Sequence, residues 1–150
     1  MESINESEYT FYMQKCIELA LIAKQRGDTP VGSIVVKNGE IIGEGIEGGK
    51  TKKDITYHSE IEAIRDARKR LHTSDLSDCI LVSTHEPCLM CSYTLRHHKI
   101  NVLIFSLSVG EIGGYSSKFK ILEDESILKW GNPPKIITGI LEKECRALHH

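Results

Sequence analysis

The stretch Tyr57-His58-Ser59-Glu60 and its distant complement, Glu86-Pro87-Cys88-Leu89-Met90-Cys91, decide how the rest of the chain is organised. One imidazole, two thiols and one carboxylate can together hold a metal ion and move protons beside it. Thiolate and imidazole ligands suit zinc. Structural zinc sites normally take four protein ligands, whereas catalytic sites take three and leave a position for water. The three obvious ligands, His58, Cys88 and Cys91, therefore predict an open zinc site.

The spacing within each motif favours one shared site. Cys88 and Cys91 follow Pro87 directly, which favours the first turn of a helix, and residues i and i+3 share a helix face. The positive end of the helix macrodipole stabilises both thiolates. On a regular helix His58 and Glu60 would point roughly 200° apart, so they serve one site only if His58 starts its helix. Glu60 then reaches the water on the metal rather than the metal itself.

Each motif taken alone has other interpretations. A single Cys-x-x-Cys pair also occurs as a redox pair or as half of a structural zinc knuckle. A His-x-Glu pair occurs as solvated polar groups at exposed helix starts. In a structural or binding module, Cys79, Cys145 or a histidine would complete the metal as a fourth protein ligand. The order of the two motifs, with a proline before the first cysteine, favours a catalytic zinc site.

At these residues the chain resembles the zinc-dependent cytidine and deoxycytidylate deaminase superfamily, whose signature combines His-x-Glu with Pro-Cys-x-x-Cys. The resemblance extends from Lys15 to about Leu148. It is greatest for the branch that holds tRNA adenosine deaminases, guanine deaminases and small cytosine deaminases. Three further segments resemble that branch: Pro30-Val31-Gly32, Ile42-Gly43-Glu44-Gly45 and Gly139-Ile140-Leu141-x-x-Glu144-Cys145. The resemblance implies a zinc-dependent hydrolase of C–N bonds in cyclic amidines, and a homodimer.

The candidate catalytic residue is Glu60. With His58, Cys88 and Cys91 as ligands, Zn²⁺ carries two thiolate charges, so its water is less acidified than in a site of neutral ligands. A separate proton acceptor is therefore needed. Glu60 would take a proton from that water, deliver it to a ring nitrogen and protonate the departing ammonia. An exocyclic amine would thereby be replaced by a carbonyl.

The candidate substrate-binding residues are Glu47, Ser59, Tyr57, His85 and Glu86. Glu47 stands where the resembled enzymes carry an asparagine that contacts the substrate. A carboxylate cannot donate hydrogen bonds, so its partner must offer N–H or O–H groups. Tyr57 either narrows the pocket and stacks on a base or packs beneath its loop. His85 either lines the pocket or is an inert histidine at a strand end.

Two departures from the resembled enzymes bear on the substrate. Leu107, Ser108 and Val109 stand where tRNA deaminases typically carry a basic residue and an aspartate, and Tyr115-Ser116-Ser117-Lys118-Phe119 stands where guanine deaminases carry acidic residues. The leading hypothesis is therefore deamination of a free nucleobase or nucleoside, with transfer RNA disfavoured. The alternative is a tRNA-specific adenosine deaminase. A zinc-stabilised binding module without catalysis is the third hypothesis.

The composition predicts one domain over residues 1–150. The chain is 40% hydrophobic, and this length supplies enough core to fold without disulfides. A net charge of -2 and a pI near 6.4 give no global attraction to nucleic acid. Five cysteines, no secretory signal and no apolar run long enough for a bilayer predict a reducing cytoplasm without membrane contact. Residues 1–8 are expected to be flexible, and His149-His150 is interpreted as a tag remnant without a role.

Hydrophobic periodicity predicts an α/β fold, a three-layer α/β/α domain with a five-stranded mixed sheet. The predicted elements are a helix over 9–24, strands over 31–36 and 40–45 joined by Asn38-Gly39, a helix over 59–71, a strand over 79–83, a helix over 88–98, strands over 102–107 and 136–139, and a closing helix with Leu141, Cys145 and Leu148 on one face. The strand, helix and strand from Cys79 to Leu107 predict a parallel crossover. Residues 108–134 are irregular and are expected to carry function or to shield a site.

Overall fold

The computed structural model describes residues 6–150 and shows a five-stranded mixed sheet between two layers of helices, which confirms the predicted fold class. The strands are β1 Gly32–Lys37, β2 Glu40–Ile46, β3 Ile80–His85, β4 Val102–Leu107 and β5 Lys135–Ile137. The helices are α1 Glu6–Gln25, α2 Ser59–Leu71, α3 Leu89–His97 and α4 Glu142–Ala147, with short 3₁₀ turns at Gly110–Ile112 and Leu128–Trp130.

The strand order is β2-β1-β3-β4-β5, which divides the sheet into an antiparallel and a parallel half. Strand β1 pairs antiparallel with β2 and β3, whereas β3 with β4 and β4 with β5 are parallel. The hairpin turns at Asn38 and Gly39, both with positive φ, as the two-residue turn predicted there requires. The carboxyl ends of β3 and β4 meet at one sheet edge, where α3 begins.

Alternating side chains of the strands form two hydrophobic cores, one on each face of the sheet. On one face Ile34 and Val36 pack with α1 and α4, and on the other Val35 packs with α2 and α3. The same alternation continues through β3 and β4, with both helix layers contacting the central strands. The two cores hold the sheet rigidly between the layers, so the ends of the strands and helices are fixed relative to one another.

Glycines of β2 let helix α2 lie directly against the strand. A Cβ at Gly45 would lie 1.8 Å from the carbonyl oxygen of Ser59, and a Cβ at Gly43 would lie 2.4 Å from that of Ala63. Only the absence of a side chain permits this approach. The backbone contact at Gly45 therefore fixes the first turn of α2 relative to the sheet.

The N-terminal segment is helical from Glu6, so residues 6–8 form the first turn of α1 instead of a flexible tail. Residues 1–5, also predicted to be flexible, lie outside the described part of the chain. All five cysteines are free thiols. None of the helices within residues 6–150 combines the length and hydrophobicity that crossing a bilayer requires.

Candidate functional site

The three predicted metal ligands meet where helices α2 and α3 begin. His58 is the N-cap of α2, with extended backbone at φ -74° and ψ 147°, and Cys88 is the N-cap of α3, at φ -68° and ψ 177°. Cys91 lies in the first turn of α3. Because His58 precedes the helix, its side chain does not have to follow the direction that the helical backbone imposes on later residues. Its ring points toward the two thiols. His58 Nδ1 lies 3.4 Å from Sγ of Cys88 and 3.4 Å from Sγ of Cys91.

The donor set and its dimensions fit zinc. One ligand atom from each of His58, Cys88 and Cys91 lies within 4.8 Å of the other two. Zn–N and Zn–S bonds of ordinary length, at the tetrahedral angle, separate the nitrogen from each sulfur by about 3.5 Å. The observed separations agree with that value. One nitrogen and two sulfurs leave a fourth tetrahedral position, as in a catalytic zinc site.

The charges within this triad depend on one another. The pKa of Cys88 falls to about 4, because the Cys91 thiol and His58 both donate hydrogen bonds to its sulfur. The hydrogen bond to Cys88 raises the pKa of His58 to about 9, against the opposing effect of burial. The pKa of Cys91 rises well above its usual value, because its thiol donates to Cys88 and is buried. A bound cation takes the place of the His58 and Cys91 protons, so metal affinity falls as the pH is lowered.

Glu60 lies beside the triad and is 4% exposed. Its Oε1 accepts a hydrogen bond of 3.0 Å from the Ser59 hydroxyl. Burial raises the pKa of Glu60 to about 7, and the negative charge of Cys88 acts in the same direction. A carboxyl group that titrates near neutral pH can both accept and return a proton.

A cavity of about 200 Å³ adjoins His58, Cys88 and Glu60. It is smaller than the roughly 300–1,000 Å³ of pockets for drug-sized ligands, so it suits a small planar ring. Seven further residues line the cavity, from the segment before β1, the residue after β2, the end of β3 and the segment after β4. They are Thr29, Val31, Glu47, His85, Glu86, Val109 and Ile112. Thr29, Val31 and Ile112 were not predicted as site residues, although the segment Pro30-Val31-Gly32 was singled out from the sequence.

Glu47 presents a carboxylate to this cavity. Its Oε1 accepts the Ser59 N–H at 3.3 Å, and its Oε2 accepts the Gly49 N–H at 3.2 Å. The side chain is largely buried, and burial raises its pKa. A carboxylate has about four acceptor positions, so Glu47 retains two for a ligand.

His85 lines the cavity as a neutral ring, because burial lowers its pKa to about 4. The Thr84 hydroxyl, which accepts the Gly32 N–H, shares a hydrogen bond of 2.8 Å with His85 Nδ1. On the other side of the ring, His85 Nε2 shares a hydrogen bond of 2.7 Å with Nε2 of His149. His149, interpreted from the sequence as a tag remnant, thus contacts a residue of the cavity wall.

Two residues predicted to bind substrate do not line the cavity. The Tyr57 ring lies against cations instead, with Lys52 Nζ at 4.2 Å and Arg65 Cζ at 5.5 Å from its centre. Ser59 is fully buried, and its hydroxyl contacts Ser33 at 2.7 Å and Glu60. Ser59 therefore orients Glu60 and Glu47 rather than offering its own polar atoms to a ligand.

Glu86 lines the cavity, but its carboxylate is already occupied. It accepts hydrogen bonds from the backbone of Val109, Tyr115 and Ser116 and from the Ser116 hydroxyl. These four bonds match the acceptor capacity of a carboxylate. Direct substrate binding by Glu86, as predicted from the sequence, is therefore not supported by its contacts.

Comparison with known families gives one match that covers most of the chain. The model of the cytidine and deoxycytidylate deaminase zinc-binding region matches residues 6–107. This range includes His58, Glu60, Cys88 and Cys91 and ends with strand β4.

Individual proteins that are similar to the chain are also deaminases. The chain is 39% identical over 123 residues to a tRNA-specific adenosine deaminase of Aquifex aeolicus, covering 80% of this chain and 82% of that protein. A solved structure from a study of A-to-I editing by tRNA:A34 deaminases superimposes with a TM-score of 0.85 at 25% identity, covering 93% of this chain and 99% of the other. Guanine deaminase from Bacillus subtilis gives a TM-score of 0.63 at 33% identity over 65% of this chain and 63% of the other.

Proposed function

The chain belongs to the cytidine and deoxycytidylate deaminase family, and from this membership we propose that it converts adenosine in transfer RNA to inosine. The activity of this family is the zinc-dependent hydrolysis of the exocyclic C–N bond of an amino-substituted ring. The observation that supports the tRNA substrate is the 39% identity to a tRNA-specific adenosine deaminase over most of both chains. The reaction consumes one water and releases one ammonia.

The residues of the cavity divide the chemistry between them. His58, Cys88 and Cys91 would hold the zinc ion, which when bound polarises water for attack on the carbon that carries the amine. Glu60 accepts a proton from the water and passes it to the adjacent ring nitrogen. The same carboxyl group then takes the remaining proton from the hydroxyl that has been added to the carbon and gives it to the amine, so the C–N bond breaks, ammonia leaves and the carbonyl forms. Ser59 keeps Glu60 oriented through its 3.0 Å hydrogen bond.

A local group of cations near the cavity favours a polyanionic substrate. Lys50, Lys52 and Lys53 are exposed on the loop between Glu47 and His58, and Arg65 lies close to the same loop. Phosphate contacts from such side chains orient a nucleic acid without reading its sequence. The net charge of -2 makes this attraction local to the loop rather than a property of the whole surface.

A second candidate is a free amino-substituted nucleobase or nucleoside, and Glu47 favours it. The two free acceptor positions of this carboxylate need N–H or O–H donors on the substrate. A free base with neighbouring ring N–H and amino groups would offer such a pair. Adenosine would have to satisfy Glu47 through its amine or its ribose hydroxyls.

The test is a parallel assay of zinc-loaded protein on transfer RNA and on free bases, nucleosides and nucleotides. Inosine in digested tRNA, lost in Glu60→Gln, would support the proposal. Ammonia release from a small heterocycle with no inosine in tRNA would replace it with the second candidate. Lys52→Glu is the matched variant, because it should weaken tRNA turnover in a salt-dependent manner and leave turnover of a small heterocycle within about two-fold.

We also propose that the enzyme is a cytoplasmic homodimer. The five free thiols support a reducing compartment. The side chains of Ile112 and Phe119 lie near the cavity and are 58% and 53% exposed, and a partner subunit would cover them. Light scattering at micromolar concentration would test the dimer, and a mass of about one chain would exclude it.

A further inference from the structure

Glu86 is a buried carboxylate that takes no part in the proposed reaction. It is 2% exposed, and it stands at the end of β3, two residues before the zinc ligand Cys88. No lysine or arginine within residues 6–150 forms an ion pair with it, so hydrogen-bond donors balance its charge. A buried charge satisfied in this way is costly to disturb.

All four donors come from one wall of the cavity. Val109 N–H donates to Oε1 at 3.1 Å, while Tyr115 and Ser116 N–H donate to Oε2 at 2.9 and 2.8 Å. The Ser116 hydroxyl adds a bond of 2.6 Å to Oε1. This cavity wall, defined here as residues 109–116, has no regular strand of its own, and it contributes Val109 and Ile112 to the cavity.

The wall also lies against the polypeptide that carries the metal ligands. Gly113 forms an isolated antiparallel bridge with Cys88, and Gly114 N–H donates to the Pro87 carbonyl at 3.0 Å. A Cβ at Gly113 would lie 2.0 Å from Glu86 Oε2, so only glycine allows the wall to approach the carboxylate this closely. The Glu86 carboxylate and these two backbone contacts together hold the wall against the segment that carries the metal ligands.

We propose that Glu86 is a positioning residue, which holds the cavity wall 109–116 at the distance from the metal centre that the substrate ring requires. The inference rests on the proposed deaminase function for its consequence in substrate binding. Glu86 acts through Val109 and Ile112, because its own acceptors are filled. Loosening the wall should reduce the affinity for the substrate ring more than it reduces the rate of the chemical step, because that step depends on Glu60.

The chain offers a matched control in Asp28. This carboxylate is also buried, at 5% exposure, and it accepts hydrogen bonds from the Lys50 and Thr51 backbone and from the Thr51 hydroxyl. Asp28→Asn disturbs an equivalent cluster in a different loop. Comparing Glu86→Gln with Asp28→Asn therefore separates an effect on wall 109–116 from a general effect of losing a buried carboxylate.

The first experiment is amide hydrogen exchange of the wall, which needs no substrate. Glu86→Gln should accelerate exchange at Val109, Tyr115 and Ser116 by about 10- to 100-fold, the loss expected for hydrogen bonds to a charged group. Asp28→Asn should accelerate exchange at Lys50 and Thr51 alone. Unchanged wall exchange in Glu86→Gln, or equal acceleration throughout β3 and β4, would overturn the proposal.

The second experiment uses whichever substrate the wild-type enzyme deaminates. Glu86→Gln should raise KM at least about ten-fold, change kcat less than about three-fold and keep the wild-type zinc content. A fall in kcat with unchanged KM would overturn the positioning role. If Glu86→Gln does not fold, Ser116→Ala removes one donor and should accelerate wall exchange by about three- to ten-fold, with a smaller rise in KM. If the wild type deaminates nothing, the proposed function fails, while hydrogen exchange still decides whether Glu86 holds the wall.

Discussion

Replacing Glu60 with glutamine should abolish turnover and at the same time stabilise the metal-free protein. The side chain is 4% exposed, and Gln keeps its shape and the acceptor for the Ser59 hydroxyl at 3.0 Å. Gln cannot carry a proton, so kcat should fall by about 10²- to 10⁴-fold, the usual contribution of a positioned acid and base. Zinc content should stay at the wild-type level, because Glu60 is not a ligand in the triad.

The gain in stability follows from the raised pKa of Glu60. A rise from 4.5 to about 7 on folding corresponds to a cost of about 3 kcal/mol when the carboxyl is ionised at pH 8. Below pH 4.5 the group is protonated in both the folded and unfolded chains, and this cost is absent; it develops as the pH rises toward 7. Glu60→Gln should therefore raise the metal-free melting temperature at pH 8 by roughly 6–12 °C. At pH 4.5 the same substitution should have little effect.

The assays are ammonia release and differential scanning calorimetry of chelator-treated protein at both pH values. The control is Glu62→Gln on the same helix, which removes the same charge at a partly exposed position beside Arg65 and should change stability by less than about 0.5 kcal/mol. Retention of near wild-type turnover with zinc bound would refute the assignment of Glu60 as acid and base. A metal-free melting temperature below that of the wild type at pH 8 would refute the cost assigned to its burial.

Three further predictions concern the metal, the packing of α2 and His85. Cys88→Ser should reduce the zinc bound per chain by at least about ten-fold in atomic absorption, while circular dichroism stays that of a folded domain; full zinc content would remove Cys88 from the ligand set. Gly45→Ala should lower the free energy of unfolding by about 1–3 kcal/mol, because its Cβ would overlap the Ser59 carbonyl, and a neutral effect in urea melts would contradict the close contact. Imidazole NMR should show His85 neutral throughout pH 5.5–8, since its pKa is about 4; a midpoint above pH 6 would contradict the buried contact with His149.

The parts of the fold that carry a periodic pattern were predictable from the sequence. The hairpin follows from Asn38-Gly39, and the helix and strand order follows from runs of apolar residues at helical or alternating spacing. The convergence of His58 with Cys88 and Cys91 was predictable because each motif marks a helix start. On α1 the apolar pattern was less informative, since Leu21 is apolar but 43% exposed, next to the fully buried Ala20.

The contacts of the irregular segments were not predictable. Glu86 was predicted to bind substrate, whereas its hydrogen-bond partners lie 23 to 30 residues away in a segment without periodicity. For Tyr57 the sequence left open whether it stacks on a base or packs beneath its loop, and in the structure its ring lies against Lys52 and Arg65. Local sequence does not specify such partners, because tertiary packing brings them together.

The three carboxylates around the cavity disfavour the entry of negatively charged groups. Glu47, Glu60 and Glu86 all line a space of about 200 Å³, and no lysine or arginine belongs to the described lining. If the enzyme acts on a nucleotide unit, we expect the uncharged ring to enter this space and the phosphate to stay at the lysine-bearing loop outside, because the carboxylates repel it. The distance that the linkage allows between ring and phosphate would then determine which substrates the cavity accepts. We therefore expect the cavity to accept a base that turns inward from a flexible strand and to reject a nucleotide whose phosphate must follow its base into the cavity.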